Sequence, residues 1–515
     1  MAVLLGLDFG TGGAKACIIN FDGQVLAYSF EEYPLIHERP GWSEHDASRY
    51  WPVACSLIRR SLERAGVSAR EVVGIALSSA LPSLVVIDHD GMPLCPAINL
   101  LDRRARDEVE FVRTVVGTER VQALTANRLE DHPSIVNLLW MQRNRPETFA
   151  SIASALTIDG YIAHRLTGVA SVNRSAGVFY GVAYDIRCGR FDEAVLGALG
   201  LDARMLPPVF DCQAVVGETT KEAADATGLR PGIPVVGGQV DCNAGWIAGG
   251  AVVPGDIQLN LGTCGVLGIV HDQKDFLASA SGEKMVNIPY TTAPDRVFSA
   301  VATTMTGGQA LRYLRETFGH VEQRVGEMLG VNPYDLLTLQ ARDVPPGSEG
   351  LIVLPYLMGE RTPIWNPSAR GVVFGLSLHH GRGHIVRAFM EGVAYALYHS
   401  LSILLDAGLV TDWPLVLNEG GARSDVWRRI MTDVLGVPTV VAKSPVGAPL
   451  GDAILAGVAL GYIESFEATK KWAQHSEVLM PDNAVHERYL EFYALYRKLY
   501  ERLSDSFGEL LLLSS

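Results

Sequence analysis

The sequence predicts an α/β protein built from two similar halves. Short runs of Val, Ile and Leu alternate with longer segments of helical periodicity, and this alternation is typical of α/β architecture. A nine-residue segment that starts at Leu5 resembles one that starts 252 residues later, at Ile257. Both segments predict a strand followed by Gly-Thr-x-Gly, unless the match arises by chance. The clearest predicted strands are 72–77 and 84–87, and the clearest predicted helices are 48–65 and 133–143.

The composition fits a chain with two large cores. The chain has 515 residues, which is enough for two domains of roughly 200–250 residues each. Hydrophobic residues make up 48% and charged residues 19%, a balance that opposes disorder. The net charge of −14 argues against a nucleic-acid-binding protein, which normally carries a basic face. Seven cysteines without a Cys-x-x-Cys pair favour the reducing cytoplasm over a disulfide framework or a zinc site.

The pattern of apolar residues does not predict a membrane protein. The N-terminus has no basic flank and Asp8 interrupts it, so it is predicted to be a strand and not a signal peptide. No run reaches the ~18 apolar residues of a membrane span. The segment 249–255 is predicted to be a hinge near the middle of the chain. The segment 485–507 carries aromatic residues at helical spacing and predicts a helix that packs on the body of the protein.

The first glycine-rich turn follows a short apolar strand and combines groups that can handle phosphate. It reads Asp8-Phe9-Gly10-Thr11-Gly12-Gly13-Ala14-Lys15. It is not a Walker A loop, since Lys15 is followed by Ala16, and it lacks the third glycine of a dinucleotide fingerprint. Its backbone N–H groups can face phosphate oxygens, and Asp8 can hold Mg²⁺ through water. A plain β-turn with glycines at positive φ is the alternative.

A second carboxylate, Asp241, follows a predicted strand and the pair Gly237-Gly238. A carboxylate at this place can accept a proton from a sugar hydroxyl as that oxygen attacks the γ-phosphate of a nucleotide. The alternative is that Asp241 caps a helix that begins near Asn243, whose N-terminus would lower the pKa of the carboxyl group. The two interpretations are compatible. With Asp8, this residue predicts phosphoryl transfer from a nucleotide to an alcohol.

Two more glycine-rich segments lie in the second half of the chain. Gly262-Thr263 would meet phosphates from the side opposite the first turn, or is a plain turn. Gly420-Gly421-Ala422-Arg423-Ser424 precedes a helix predicted over 425–435, which Ser424 or Asp425 would cap. Its paired glycines would let a flat ring or a ribose approach the backbone, although a simple strand–helix connection has the same pattern.

Taken together, these motifs resemble those of the FGGY carbohydrate kinase family, within the superfamily of actin, hexokinase and heat-shock ATPases. The resemblance spans nearly the whole chain, and its most specific part is Gly371–Leu376 followed by His384–Glu391. The other matching segments are Gly6–Thr11, Asp159–Tyr161, Arg165–Gly168, Gly238–Gly245, Leu261–Thr263, Gly359–Pro363, Gly420–Ser424 and Gly447–Gly451. The resemblance implies an α/β fold with two actin-like (ribonuclease H-like) domains flanking a deep cleft.

The resemblance also implies roles for segments and residues. Residues 1–250 would bind the sugar and carry the catalytic base Asp241, 251–480 would bind ATP, and 481–515 would form a helix packed on the body. Mg²⁺ would be held at Asp8, and a homodimer without nucleic-acid or membrane partners is expected. The nucleotide-binding residues would be Gly10, Thr11, Gly12, Lys15, Gly262, Thr263, Gly307, Gln309, Gly420, Gly421, Ala422 and Ser424.

The sugar pocket departs from the pattern of the family. Xylulose kinases usually carry Gln-Met-His-Gly where this chain has Ala80-Leu81-Pro82-Ser83, so the predicted wall is apolar at Leu81 and Pro82. Asp102 and Arg104 remain in an Asp-x-Arg-Ala pattern and would contact the sugar together with Asp241. The layout resembles xylulose kinases more than glycerol kinases, which predicts a ketopentose such as D-xylulose and the product D-xylulose 5-phosphate. The alternatives are another polyol or ketose (a tetritol, glycerol or ribulose), or a sugar-binding regulator without catalysis.

Overall fold

The computed structural model describes residues 1–409, 411–443 and 446–514. They form two compact units, each discontinuous in sequence. The first unit comprises Met1–Val253, Asp272–Ser299 and Ser444–Ala473. The second comprises Pro254–His271, Ala300–Lys443 and Gln474–Ser515.

The strands are numbered along the chain. The first fifteen are β1 (Val3–Phe9), β2 (Gly13–Ile19), β3 (Val25–Glu32), β4 (Glu44–His45), β5 (Val72–Ser79), β6 (Val85–Ile87), β7 (Ala97–Ile98), β8 (Ser154–Leu156), β9 (Val172–Asn173), β10 (Tyr184–Asp185), β11 (Arg190–Phe191), β12 (Val209–Phe210), β13 (Val215–Glu218), β14 (Pro234–Val236) and β15 (Gln239–Val240). The others are β16 (Asp256–Leu261), β17 (Gly265–His271), β18 (Val286–Pro289), β19 (Phe298–Thr304), β20 (Ile352–Leu354), β21 (Val372–Phe374), β22 (Asp412–Asn418) and β23 (Thr439–Val441).

The α-helices are numbered in the same way. The first ten are α1 (Tyr50–Ala65), α2 (Arg106–Val115), α3 (Thr118–Thr125), α4 (Ser134–Asn144), α5 (Pro146–Ala150), α6 (Ile158–Thr167), α7 (Arg174–Gly177), α8 (Glu193–Ala198), α9 (Lys221–Thr227) and α10 (Asp241–Ala248). The others are α11 (Gln309–Phe318), α12 (His320–Leu329), α13 (Pro333–Leu339), α14 (Arg382–Asp406), α15 (Asp425–Leu435), α16 (Ala448–Ala459) and α17 (Asn483–Ser514).

The first unit is organised around a sheet with the strand order β13-β14-β5-β1-β2-β3, in which β15 also pairs with β5. β1 runs antiparallel to β2 and parallel to β5. Because side chains alternate along a strand, Leu5 and Leu7 share a core with α1 and α6. Gly6, on the opposite face, lies directly against the start of α16. Asp8 follows Gly6 on that second face, at the carboxyl end of the strand.

The second unit repeats this arrangement. Its sheet includes the order β19-β17-β16-β22-β23. β16 runs antiparallel to β17 and parallel to β22, as β1 does to β2 and β5. The match between the segments that start at Leu5 and Ile257 is therefore structural, since each forms a strand, a short Gly-Thr turn and the start of a second strand.

The other predicted elements are found with small shifts. β5, β6 and α4 occur where the sequence predicts them. α1 begins two residues later than predicted, because a 3₁₀ turn over Ala47–Arg49 precedes it. α15 matches its predicted bounds, and its cap is Ser424, whose hydroxyl accepts a hydrogen bond from the Trp427 N–H. A side-chain oxygen at this position satisfies an amide that has no partner inside the helix.

The two longest helices belong to the second unit. α17 is longer than the predicted 485–507, but its aromatic stripe packs on the body as expected, with Tyr489 1% and Tyr496 0% exposed. Among the described residues, α14 alone is long and apolar enough to cross a membrane, and 78% of its apolar window is buried. The helix is apolar on average, although it contains no uninterrupted apolar run of ~18 residues. Its burial is that of a core helix.

A buried ion pair joins α14 to α17. Arg387 donates to Glu391 Oε1 at 2.8 Å, one helical turn away, and both side chains are less than one-tenth exposed. Tyr489 of α17 donates to the same oxygen at 2.9 Å and accepts from Arg387 at 2.7 Å. The backbone N–H of Gly347 and the hydroxyl of Ser348 complete the shell of Glu391.

We expect Glu391→Ala to destabilise the protein strongly, because it leaves the Arg387 charge buried without its partner. The expected loss in the free energy of unfolding is about 3–5 kcal/mol, measured by urea denaturation. The matched control is Glu491→Ala, which removes an exposed ion pair with Arg488 and should change the same quantity by less than about 1 kcal/mol. Similar effects of the two substitutions would contradict a structural role for the buried pair.

Candidate active site

The first Gly-Thr turn brings Asp8 and Lys15 together. The two residues are directly opposite in the β1–β2 ladder, and Lys15 Nζ lies 2.8 Å from Asp8 Oδ2. Asp8 is 1% exposed, and its charge raises the pKa of Lys15 to about 12. The hydroxyl of Ser78, on the neighbouring β5, lies 3.2 Å from Asp8 Oδ1. A carboxylate held at both oxygens is fixed in position at the end of the sheet.

Asp241 is the first residue of α10. The chain approaches it through Gly238, whose φ of 90° suits glycine and where a Cβ would lie 2.5 Å from the Leu77 carbonyl. The surrounding protein desolvates the Asp241 carboxyl group and the charge of Asp8 lies nearby, so the pKa of Asp241 rises to about 7. Lys15 and the Cys242 N–H act in the opposite direction, but less strongly.

These observations correct two expectations about Asp241. The helix begins at Asp241 itself and not near Asn243, and its N-cap residue is Val240. The predicted lowering of the pKa by the helix N-terminus is outweighed by desolvation and by Asp8. A carboxyl group that titrates near neutrality suits a general base, which needs to be deprotonated yet basic at the working pH.

A third carboxyl group, that of Asp452, contacts the same serine, Ser78, as Asp8 does. It was not predicted from the sequence. Its Oδ2 lies 2.7 Å from the Ser78 hydroxyl oxygen, and its Oδ1 accepts from Gln239 at 3.0 Å. Burial, and then the charge of Asp8, raise the pKa of Asp452 well above its usual range. The available signal was a lone acidic residue inside the otherwise apolar run 448–459.

Asp452 is brought there by α16, which begins inside the matching segment Gly447–Gly451 and within the range 251–480 that the resemblance assigns to ATP binding. The helix belongs to the first unit and packs against β1 and α10. A Cβ at Gly6 would lie 1.9 Å from the Pro449 carbonyl, and a Cβ at Gly451 would lie 1.9 Å from that of Ala244. These glycines therefore allow the close contact that carries Asp452 under the sheet.

The residues expected around the sugar are buried in the first unit. Leu81 is 8% exposed and Asp102 is 0% exposed, and Pro82 is also buried. The guanidinium of Arg104 pairs with Asp102 at 2.7 Å and with Glu44 at 2.8 Å. The sequence predicted that Arg104 contacts the sugar. In the structure its N–H donors are engaged by Asp102 and Glu44, so the observed contacts of Arg104 are structural.

Trp42 closes the other side of this arginine. Arg104 stacks on the Trp42 ring, with its central carbon 3.8 Å from the ring centroid. A guanidinium over an aromatic face gains a cation–π interaction. The two ion pairs and the stacking together fix the position of the Arg104 guanidinium.

The second unit contains a cavity of about 310 Å³ beside the second Gly-Thr turn. Six of the predicted nucleotide-binding residues line it: Gly262, Thr263, Gln309, Gly420, Gly421 and Ser424. Gly307 and Ala422 lie outside the lining. Gly307 donates to the Thr263 carbonyl at 2.9 Å and so supports the turn. Sequence reasoning missed Tyr334, an aromatic lining residue whose flat ring suits a nucleobase.

The carboxylates of the first unit suit the binding of a hydrated Mg²⁺ ion, as is usual in phosphoryl-transfer enzymes. Among the residues that the structure describes, no group of three or more His, Cys, Asp or Glu side chains could hold a metal ion. Mg²⁺ is usually bound by one or two carboxylates plus water and substrate phosphates, not by a protein cage. Asp8 would fit this pattern by holding a hydrated ion through water, since both of its oxygens already contact protein groups, Lys15 and Ser78.

Two repeated α/β units, each with a Gly-Thr turn between its first two strands, are the framework of a carbohydrate kinase. The chain belongs to the FGGY family of carbohydrate kinases: residues 3–248 match the N-terminal domain of the family and residues 258–460 match its C-terminal domain. The family assignment and the two-domain α/β kinase fold predicted from the sequence are thus confirmed.

Relatives over the full length are sugar kinases. The chain is 26% identical over 510 residues to the xylulose kinase of Bacillus subtilis (strain 168), covering 98% of both chains. It is 28% identical over 477 residues to the gluconokinase of the same strain, covering 90% of this chain and 89% of the relative. The crystal structure of xylulose kinase from Rhodospirillum rubrum matches with a TM-score of 0.88 and 30% identity, covering 98% of this chain and 100% of that one. The chain is a phosphotransferase that uses ATP and a small sugar substrate.

The raised pKa of Asp241 predicts a pH-dependent effect of Asp241→Asn on stability. Between about pH 4, where an unfolded aspartate titrates, and pH 7, only the folded protein retains this proton. The native chain therefore loses stability as the pH rises through this range, because the unfolded state releases the proton first. We expect the asparagine variant to gain stability over the native chain as the pH rises from 4 to 7, by about 1–3 kcal/mol at pH 8.

Urea denaturation between pH 4.5 and 8 measures this difference. Asp22→Asn, at an exposed turn residue, is the matched control and should shift stability little at any pH. A stability difference for Asp241→Asn that stays constant across the range would contradict the raised pKa.

Proposed function

We propose that this chain transfers the γ-phosphate of ATP to a hydroxyl of a ketopentose, with D-xylulose as the preferred substrate and D-xylulose 5-phosphate as the product. The observation that carries the reaction type is the Asp241 carboxyl group, poised near neutral pKa beside Asp8 and Lys15. The observation that favours the sugar is the full-length likeness to proteins named xylulose kinase. The division into a sugar-binding N-terminal part (1–250), an ATP-binding part (251–480) and a packing helix (481–515) remains a prediction.

In this proposal Asp241 acts as the general base. It accepts the proton of the sugar hydroxyl while that oxygen forms its bond to the γ-phosphorus and the bond to the β-phosphate oxygen of ATP breaks. Lys15, Thr11 and the amides of the first turn stabilise the charge that spreads over the phosphoryl oxygens. Mg²⁺, when bound near Asp8, neutralises phosphate charge. Burial of the carboxyl groups strengthens each of these interactions by excluding water.

The nucleotide would be held by the second unit. Tyr334 offers a flat surface for the adenine, and Gly420 and Gly421 allow its ribose close to the backbone. The second Gly-Thr turn, Gly262-Thr263, would receive the phosphates through its amides. The cavity of about 310 Å³ is at the small end of the ligand pockets found in proteins, roughly 300–1,000 Å³.

A second candidate substrate is gluconate. A relative named gluconokinase is 28% identical to this chain, and Leu81 and Pro82 replace the residues usual in xylulose kinases. The apolar side chains cannot donate the hydrogen bond to the sugar that the usual histidine supplies.

A substrate panel tests the proposal. With Mg·ATP, D-xylulose should give the highest kcat/KM among D-xylulose, D-ribulose, erythritol, glycerol and D-gluconate, measured by ADP release. Asp241→Asn should lower the sugar-dependent kcat by about 10²–10⁴-fold, the usual contribution of a general base, with ATP still bound. Asp22→Asn is the control. Gluconate or ribulose as the best substrate would overturn the choice of D-xylulose, and near-normal turnover of Asp241→Asn would remove it from the role of base.

Gly420→Val tests the nucleotide site. A Cβ at Gly420 meets nothing within 4 Å, so the added side chain should enter the cavity without disturbing the protein. We expect the KM for ATP to rise about tenfold or more, the effect of losing about 1.4 kcal/mol of binding, with the KM for the sugar unchanged. Gly197→Val, at another glycine whose Cβ would meet nothing but which lies in the first unit, is the matched control. An unchanged KM for ATP would place the adenosine elsewhere.

A further inference from the structure

Each carbonyl group of the turn Gly10–Gly12 accepts a hydrogen bond from a residue outside the turn. The Gly10 carbonyl accepts from the hydroxyl of Tyr33. The Thr11 carbonyl accepts from His45 Nε2 at 3.0 Å, and the Gly12 carbonyl accepts from the backbone N–H of Tyr33 at 3.4 Å. Three successive carbonyls thus point into the protein, two of them towards side chains that are 5% and 2% exposed.

This restraint also directs the amides of the turn. In a trans peptide the N–H points opposite to the carbonyl of the preceding residue. Fixing the Gly10 and Thr11 carbonyls inward therefore turns the N–H groups of Thr11 and Gly12 outward. Within the described ranges, neither amide donates to a backbone acceptor, and a Cβ at Gly12 would meet nothing within 4 Å. Successive outward amides form a concave site for anions.

His45 is held in one tautomer for this contact. A carbonyl oxygen only accepts, so the proton of the neutral ring is on Nε2. His45 Nδ1 then accepts from the hydroxyl of Tyr50, 2.8 Å away. Burial lowers the pKa of His45 and keeps the ring neutral. The direction of the chain Tyr50 to His45 to Thr11 is therefore fixed by hydrogen bonding.

Ring packing makes this support rigid. Tyr33 contacts His45 and Tyr50 edge to face, with ring centroids 5.0 and 5.5 Å apart, and Phe9 of β1 packs on Tyr50. Tyr33 follows β3, His45 lies on β4 and Tyr50 begins α1. Three separate elements thus converge behind one turn.

The second Gly-Thr turn shows the same restraint made by different groups. The Gly262 carbonyl accepts from the N–H of Gly308 at 2.5 Å, and the Thr263 carbonyl accepts from the N–H groups of Gly307 and Gln309 at 2.9 and 3.2 Å. The main chain at the start of α11 therefore does in the second unit what Tyr33 and His45 do in the first. Different groups hold the carbonyls of the two turns in the same direction. We infer that the outward direction of the amides matters for the function of both turns.

We propose that Tyr33 and His45 are positioning residues that hold the Gly10–Gly12 turn with its amides aimed at the γ-phosphate of ATP, and that Tyr50 fixes the orientation of His45. This inference rests on the kinase reaction proposed above. Neither side chain needs to touch the substrate, because each acts through a carbonyl of the turn.

Nucleotide binding without sugar tests the inference, so the outcome does not depend on which sugar is the substrate. Calorimetry would compare Mg·AMP-PNP, which has a γ-phosphate, with Mg·ADP, which lacks one. Tyr33→Phe and His45→Leu should each weaken AMP-PNP binding about tenfold, as expected for a weakened charge-assisted hydrogen bond, while ADP binding changes less than about twofold. His45→Gln should recover most of the loss, since its amide nitrogen can donate to the Thr11 carbonyl.

Tyr462→Phe, at a 43% exposed tyrosine of the first unit, is the matched control and should bind both nucleotides normally. Equal weakening of AMP-PNP and ADP, unchanged AMP-PNP binding in both Tyr33→Phe and His45→Leu, or failure of His45→Gln to recover binding would overturn the inference. Failure of the substrate panel with the nucleotide result intact would instead overturn only the proposed sugar reaction.

Discussion

The ion pair between Lys15 Nζ and Asp8 Oδ2, 2.8 Å apart, is the interaction around which the charged groups of the first unit are arranged. It exists because the antiparallel register sets the two residues opposite each other across a tight turn. A slip of one residue would send one side chain to the other face of the sheet. Desolvation raises the pKa of Asp241 most, the negative charge of Asp8 raises it further, and the positive charge of Lys15 limits the rise. A carboxyl group that titrates near pH 7 is the result of this balance.

Close packing around the ion pair depends on glycine. Gly6 and Gly451 leave no room for a Cβ between β1, α16 and α10. Because α16 can approach this closely, Asp452 reaches Ser78 and Gln239, and Ser78 connects it to Asp8. A larger residue at either glycine would push the helix away and disrupt the hydrogen bonds that position the carboxylate. The electrostatics around Asp8 therefore depend on how closely α16 packs against the face of the sheet that carries Gly6.

The sequence was sufficient for features with local causes and insufficient for those created by packing. Both Gly-Thr hairpins, α15 with its Ser424 cap and the α17 stripe follow from short patterns, and all are found. The start of α10 at Asp241 and the placement of α16 in the first unit depend on contacts between residues far apart in the chain. The same holds for the pKa of Asp241, because desolvation exists only once the surrounding elements have folded. Motifs thus predicted which turns and helix ends form, but not the charge states of their residues.

A sugar kinase has to transfer a phosphoryl group and to select its sugar, and these two tasks depend on different parts of the structure. The groups suited to phosphoryl transfer lie at the ends of strands and on tight turns, where the repeated topology fixes them. We propose that specificity arises instead at walls such as Leu81 and Pro82, whereas Arg104 is paired with Asp102 and Glu44 and covered by Trp42. The Asp8–Lys15 pair is fixed by the register of β1 and β2 and not by these walls. This independence explains how kinases for different sugars can share one fold and one set of reacting groups.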